Sequence, residues 1–424
     1  MQPGATVAMA GFDRKEGGVD RRDFLKSAAG TGYGVLALAG AGGAAVEAAA
    51  KGHAGSPSGE AFAELLATLA EVDAGFDDPR WRLQGPADRA EARRYLAHTL
   101  QHGLEAWLEC DPARPAFKGF VTPEKKLLGD NPDAKYHTTP VSAQYRYRIR
   151  GNVAGATYTS FTVERGTGGG NNSRRTGATL NDTQFEIRPD GSYEIRVSAD
   201  RQEGSWLALD PDAGSISVRH YYEREQSIAA DRLHHIPIVI ERTDVTGPEP
   251  PPTDESIAAG LRRVATFVRT TVQPPMMDSQ KTPRWVSLVP NELPAPKKDA
   301  SNEDVGFAAV DNVYSMAPFL LKPGEALVVR GRYPRCRFAN LVVWNRFMQT
   351  LDYRDRRVSI NRKQTVLESD GSFRIVLAAE NPGVPNWIDT EGRMLGSMFW
   401  RFLLPEEEIE PLRTQVVPLA EVRA

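Results

Sequence analysis

The chain is poor in the residues that announce chemistry. It has two cysteines, Cys110 and Cys336, in 424 residues. That is too few for a disulfide framework, and they read as two separate buried thiols. Histidine is also scarce, with seven in all. His98 and His102 have the i, i+4 spacing of a metal site, but no third ligand follows, and they read as the solvated face of a helix. No metal-ligating residues are named, and the sequence leaves any cofactor open. Charge of one sign is missing as well. A net charge of −3, with no basic stripe carrying interleaved aromatics, argues against nucleic acid as a partner. After residue 50 no run is long and apolar enough to span a bilayer. Ser160 and Ser205 lack a Gly-x-Ser-x-Gly setting, so no serine hydrolase is indicated. The glycines Gly166, Gly168, Gly169 and Gly170, followed by Arg174 and Arg175, lack the Gly-Lys-Ser/Thr ending of a phosphate loop and read as a mobile hairpin loop.

What the chain does have is nearly the same short text twice, about 180 residues apart. Arg150-Gly151 precedes Tyr158 as Arg330-Gly331 precedes Phe338. Asn181 matches Asn361, and the run Asp190 to Ile195 matches Asp370 to Ile375. After a slip of a residue or two, Trp206 answers Trp387 and Arg219 answers Arg401. One offset held over so long a stretch implies two copies of one structural unit.

The N-terminus reads as an address. Arg21-Arg22-Asp23-Phe24-Leu25-Lys26 is a twin-arginine pattern ahead of a Gly/Ala-rich run from Ser27 to Val46, with Ala48 and Ala50 suited to cleavage. The expected partner there is the twin-arginine export machinery, and the expected location is periplasmic or secreted, with no stable membrane span in the mature form. Residues 51–115 read as helical, with a stripe at Phe62, Leu65, Leu66 and Leu69 and a second helix starting at Pro86. Residues 116–247 and 286–424 alternate with the two-residue rhythm of strands. Between them, residues 248–285 hold Pro248, Pro250, Pro251 and Pro252 and then a helix that Asp254 can cap. This helix is expected between the two units or against one sheet. The fold class expected is mainly β: two tandem related antiparallel β-sandwich or jelly-roll-like units, a helical N-terminal segment and an interposed helix.

The tail carries a more specific text. Asn381-Pro382-Gly383-Val384-Pro385-Asn386-Trp387-Ile388-Asp389-Thr390-Glu391-Gly392-Arg393, followed by Phe399-Trp400-Arg401-Phe402-Leu403, closely resembles the signature of domain-of-unknown-function family 1214. Gly129 to Tyr136 and Tyr158 to Val163 look like further blocks of such proteins. The resemblance implies a β-rich domain and brings no agreed reaction. Many relatives place a partner domain, family 1254, upstream, where this chain shows a helical segment and a leader, so the paired form's function does not carry over.

Groups present in both copies are expected to maintain the unit, and groups in one copy to serve function. Arg219 and Arg401 read first as ion-pair or backbone anchors, with Arg401 kept among the ligand-binding candidates. The others are Asn386, Trp387, Arg393, Trp400, Trp344 and Asn345. Asp389 and Glu391 are the candidate catalytic carboxylates, since two carboxyls can divide acid and base roles when their environments differ. The function expected is binding of a small polar or glycan-like ligand in a cleft between the β units. A hydrolase or lyase using Asp389 and Glu391, and a structural envelope protein, are the alternatives.

Overall fold

The computed structural model describes residues 55–173, 175–245, 247, 250–274, 282–298, 306–307 and 309–422. The twin-arginine pattern, the Gly/Ala run, Arg174 and Pro248 lie outside these residues. Among the described residues, no helix is long and apolar enough to cross a membrane.

Strands of the first unit are β1 (Lys118–Gly119), β2 (Ala134–Pro140), β3 (Tyr147–Asn152), β4 (Tyr158–Arg165), β5 (Arg175–Asn181), β6 (Ser192–Ser198), β7 (Trp206–Ala208), β8 (Ala213–Tyr221) and β9 (Ile238–Arg242). Those of the second are β10 (Lys297–Lys298), β11 (Asn312–Leu320), β12 (Glu325–Gly331), β13 (Phe338–Trp344), β14 (Ser359–Asn361), β15 (Phe373–Ala378), β16 (Trp387–Asp389), β17 (Leu395–Leu403) and β18 (Arg413–Pro418). The first unit pairs them in the orders β1-β2-β8-β4-β5 and β7-β6-β3-β9. The second repeats both orders, as β10-β11-β17-β13-β14 and β16-β15-β12-β18. The duplicated text thus folds into a duplicated topology. Pairing is antiparallel except at β6–β7 and β15–β16, which are parallel in both copies.

The repeated Asp-Gly-Ser run explains itself locally. Gly191 and Gly371 turn the chain at φ 81° and 80°. Their neighbours Asp190 and Asp370 accept the Ser192 and Ser372 amides at 3.0 and 2.9 Å. Side chains then alternate along each strand. Phe161, Val163, Ile216 and Val218 fill the first sandwich, and Leu341, Val343, Met398, Trp400 and Phe402 the second. The residues between them turn outward, among them Arg219 and Tyr221 on β8 and Phe399 and Arg401 on β17. The stretches around Gln184 to Ile187 and Thr365 to Leu367 lie in the strand-like ranges but make only one isolated bridge each, Ile187 to Tyr193 and Leu367 to Phe373.

The helices form a layer of their own. Helices α1 (Pro57–Gly75), α2 (Gly85–Gly103) and α3 (Asp254–Thr271) share one core with Phe347 of the second unit. The interposed α3 therefore packs on the N-terminal helices rather than between the sandwiches. Its cap is Thr253, in a capping box with Ser256. Asp254, expected in that role, accepts Ser58 from α1 instead. The stripe on α1 is turned, so that Ala61, Leu65 and Val72 are buried while Phe62 and Leu66 are exposed.

The largest departure is on α2. His98 and His102 are buried, not solvated. The helix is covered on two sides, by α3 and by the segment leading into β2. His102 sits edge-on to Phe120, and His98 Nδ1 accepts the Lys126 amide at 3.1 Å. Burial pushes the His98 imidazole down to about 4. The glycine-rich loop lies between the antiparallel strands β4 and β5, as a hairpin loop does. It is docked on α3, where a Cβ at Gly170 would meet the Arg263 carbonyl oxygen at 2.2 Å. Cys110 and Cys336 are both free thiols.

The two sandwiches join by contacts that cross in both directions. Asp133, just before β2, accepts Asn340 and Asn361 of the second unit at 2.9 and 3.1 Å. Asp311, just before β11, accepts Tyr158 and Asn181 of the first at 2.6 and 2.9 Å. Asn181 and Asn361 are equivalent, as are Ser160 and Asn340, since each pair occupies the same register. This is the reciprocal pattern of a two-fold interface, here within one chain. Tyr158, Tyr221, Phe338 and Leu403 fill the junction between these bonds. Arg337–Asp182 and Arg362–Glu223, at 3.0 and 2.7 Å, flank it.

Burial pushes the Asp133 carboxyl from 3.8 up to about 7. A group whose pKa is raised by folding contributes stability that is full below its unfolded pKa and is lost as pH rises through the folded value. Wild-type stability relative to Asp133→Asn, which resembles the protonated form, should therefore fall between about pH 4 and 7, by at most about 1.4 kcal/mol per pH unit. Denaturant titrations of both proteins at several pH values check this. A difference that stays flat with pH contradicts it.

Candidate functional site

The junction leaves a cavity of about 230 Å³ between the outward faces of the two five-stranded sheets. Phe120, Tyr136, Tyr221 and Phe307 line it with Trp285, Tyr314, Trp344 and Phe399, and both duplicated arginines reach its wall. Trp344 and Phe399 are stacked at 4.6 Å between ring centroids. Neither the Tyr136 nor the Tyr221 hydroxyl is hydrogen-bonded to a described residue.

The arginines are equivalent by register. Arg219 lies opposite Tyr136 and Ser160, and Arg401 opposite Tyr314 and Asn340. Each uses Nη2 to donate across the junction. Arg219 reaches the Phe307 carbonyl at 2.8 Å, and Arg401 the Gly129 carbonyl at 2.9 Å. Phe307 and Gly129 both have left-handed backbone, at φ 57° and 75°. In that respect both arginines are anchors.

In every other respect they differ. Arg219 Nη1 donates to Thr162 at 3.1 Å, and Glu164, fully buried, stands 3.9 Å from its guanidinium. The positions matching Thr162 and Glu164 along β13 are Val342 and Trp344. Neither can accept a hydrogen bond. Arg401 is 5% exposed, and its Nη1 has no partner among the described residues. Its guanidinium lies over Phe399 and Trp344 at 4.4 and 5.3 Å from the ring centroids. Among the described residues no carboxylate pairs with it. Asp130 and Asp133 feel its charge from further off. Asp130 is committed to Thr350, and Asp133 to the two junction asparagines.

The candidate residues named from sequence are divided among three places. Trp344 and Arg401 meet at the cavity. Trp400 lies in the interior of the second sandwich, stacked on Phe402 and Phe373. The tail loop forms a third group. Asn386 bridges backbone, donating to Val366 and Arg374 carbonyls at 2.7 and 3.0 Å and accepting the Val366 amide at 2.8 Å. Trp387 donates to the Ala378 carbonyl as Trp206 does to that of Ser198, at 3.0 and 3.2 Å. Asp389 pairs with Arg356 at 2.7 Å and accepts the Glu391 amide. Glu391 pairs with Arg393, which reaches Glu91 of α2 at 2.7 Å. Glu391 and Arg393 line a small separate cavity with Asn345, Gln349, Lys126 and His98. Asp389 and Glu391 thus do not converge with Trp344 or Trp400. Sequence reasoning passed over Tyr136, Glu164, Val342 and Phe399. Comparing Tyr158 to Glu164 with Phe338 to Trp344 residue by residue would have exposed the lost Thr and Glu. Among the described residues no group of three or more His, Cys, Asp or Glu could hold a metal ion.

The family model described as "Protein of unknown function (DUF1214)" matches residues 327–407. An uncharacterised protein of Burkholderia cenocepacia, solved by crystallography, is 30% identical. The match covers 86% of this chain and 98% of that one, with a TM-score of 0.75. The chain belongs to this family. The matched segment spans β12 to β17 and includes Val342, Trp344 and Arg401. A crystal structure of a Vibrio parahaemolyticus protein is 12% identical over 76% of this chain and 96% of that one, with a TM-score of 0.46. No curated protein matches the chain.

The different surroundings of the two arginines give a direct test. Glu164→Ala leaves Arg219 buried without its acid and should cost about 3–5 kcal/mol. Urea unfolding measures it. A loss under about 1 kcal/mol would mean that the pair does not balance Arg219.

Proposed function

We propose that this chain is an exported binding protein, taking a small molecule in the cleft between its two β units. One observation carries the reading. The two copies agree in topology and in their crossing anchors, yet beside the cavity their residues part company: Thr162, Glu164 and Ser217 hold the positions of Val342, Trp344 and Phe399, and of these Ser217, Trp344 and Phe399 line it. Residues kept for a shared framework would be the same in both copies. A pocket walled by aromatic rings with few polar groups is the ordinary form of a small-molecule site. Its volume falls below the roughly 300–1,000 Å³ of sites for drug-sized ligands, which favours a small ligand. The ring-rich lining favours a ligand with an apolar body over a glycan. Export rests on the N-terminal address alone. Asp389 and Glu391, each held in an ion pair away from the cleft, receive no acid–base role in this reading.

Filling the cleft tests it. Ser217→Phe places in the first unit the side chain that the second already has at Phe399. Small aromatic probes should show saturation-transfer NMR signals with the full chain and lose them with this variant, while sugars give none with either. Aromatic signals that persist in Ser217→Phe, or binding by sugars alone, would overturn the assignment.

A further inference from the structure

We propose that the cleft selects a small, flat carboxylate, such as an aromatic or conjugated acid, with Arg401 as the anchor for its anionic head. This rests on the cleft being a ligand site, and it names the class of ligand.

The argument is internal to the molecule. Arg219 shows what the fold does with this arginine when its role is structural. Thr162 accepts from Nη1, and Glu164 balances the charge. Arg401 keeps the crossing bond to the Gly129 carbonyl and has lost both of the other groups to Val342 and Trp344. A buried cation with an unpaired donor is strongly unfavourable unless an anion joins it. The framework bond therefore accounts for Nη2 and not for the missing partners of Nη1.

The surroundings narrow the anion. Arg219 is balanced by Glu164, and Asp130, which also lines the cavity, is set against Lys126 and bonded to Thr350, so the uncompensated positive charge at the wall is that of Arg401. Asp130 and Asp133 lie nearby and disfavour a second negative charge on the ligand. That favours a monoanion over phosphate. A carboxylate matches the planar guanidinium, and the free Tyr136 and Tyr221 hydroxyls can serve its second oxygen. The aromatic lining, with Tyr136, Trp285 and Tyr314 around the cavity, suits a flat body.

Calorimetric titration of the full chain with benzoate, the neutral isostere benzamide, and inorganic phosphate decides the matter. Benzoate should bind at least about tenfold more tightly than benzamide, as a charge-assisted bond to a buried group implies. Phosphate should give no heat. Arg401→Gln should bring the two aromatic probes to within about threefold of each other. Should that variant fail to fold, Val342→Thr serves. It restores to Arg401 the acceptor that Arg219 has in Thr162, so it should raise Tm and weaken benzoate severalfold. Equal affinity for benzoate and benzamide, tight phosphate binding, or benzoate affinity unchanged in Val342→Thr would overturn the carboxylate assignment. If benzamide binding is then still lost in Ser217→Phe, the cleft stands as a ligand site and only the ligand class fails. If no probe binds, the cleft reading itself falls.

Discussion

The exchange of buried polar groups across the junction is the constraint on which the rest depends. Each half sends an aspartate to the other's side-chain donors, Asp133 to two asparagines and Asp311 to Asn181 and Tyr158, and an arginine to the other's backbone carbonyl. Asp133, the asparagines and both arginines are buried and Asp311 is half-buried, so parting the halves strands a carboxylate, amides and guanidinium groups at once. An apolar junction could slide, because its attraction has no direction. This one has a register, since each bond is met only when β4 and β13 stand in one relation. The cavity between the sheets is a consequence of that spacing. Its walls belong to clusters apart from the two sandwich cores, with Trp344, Phe399, Tyr314 and Trp285 in one and Tyr136 and Tyr221 in another.

Much of this was legible in the sequence, and the reason is physical. Strand alternation and turn chemistry are local, so the Asp-Gly-Ser turns and the runs around them announced both copies. The identical sheet orders follow from that duplication. The helical layer was less legible. A wheel drawn for α2 assumes one buried face, and His98 and His102 were assigned to water because that helix is enclosed from two sides. Asp254 looked like a cap, but Thr253 precedes it and has the Ser256 partner that completes a box. The relation of Asp133 to Asp311 was hidden because the text around them differs. Only the register of β2 and β11 against β8 and β17 makes them equivalent.

The candidate site was legible in part, and its conspicuous members misdirect. The tail motif is dense in charge and aromatics because a long loop must satisfy its own backbone. Asn386 closes it by three bonds to main chain, and Trp387 repeats a contact that Trp206 makes in the first copy. Such a motif can be specific to a family for reasons of folding. Trp344, by contrast, stands in an ordinary strand with nothing in its immediate text to mark it, and Arg401 is marked only as part of the tail signature and as the match of Arg219. Their significance comes from what their counterparts touch.

A duplicated fold supplies its own control. In most proteins one cannot say whether an unpaired buried group is tolerated because the fold requires it. Here the first copy shows the same arginine, on the same strand, with the same crossing bond, and with a hydroxyl and a carboxylate completing its shell. The architecture therefore permits a satisfied arginine at this position. Replacing the hydroxyl by Val342 and the acid by Trp344 removes stabilising partners from a cation that stays 5% exposed. Stability alone would favour restoring them, or replacing the arginine by an apolar side chain of similar volume. Arg401 has undergone neither change, and Trp344, which stands where the acid would be, forms with Phe399 an aromatic platform beneath it. The asymmetry lies in one wall of one cavity, and a ligand that supplies the missing charge would account for its being there.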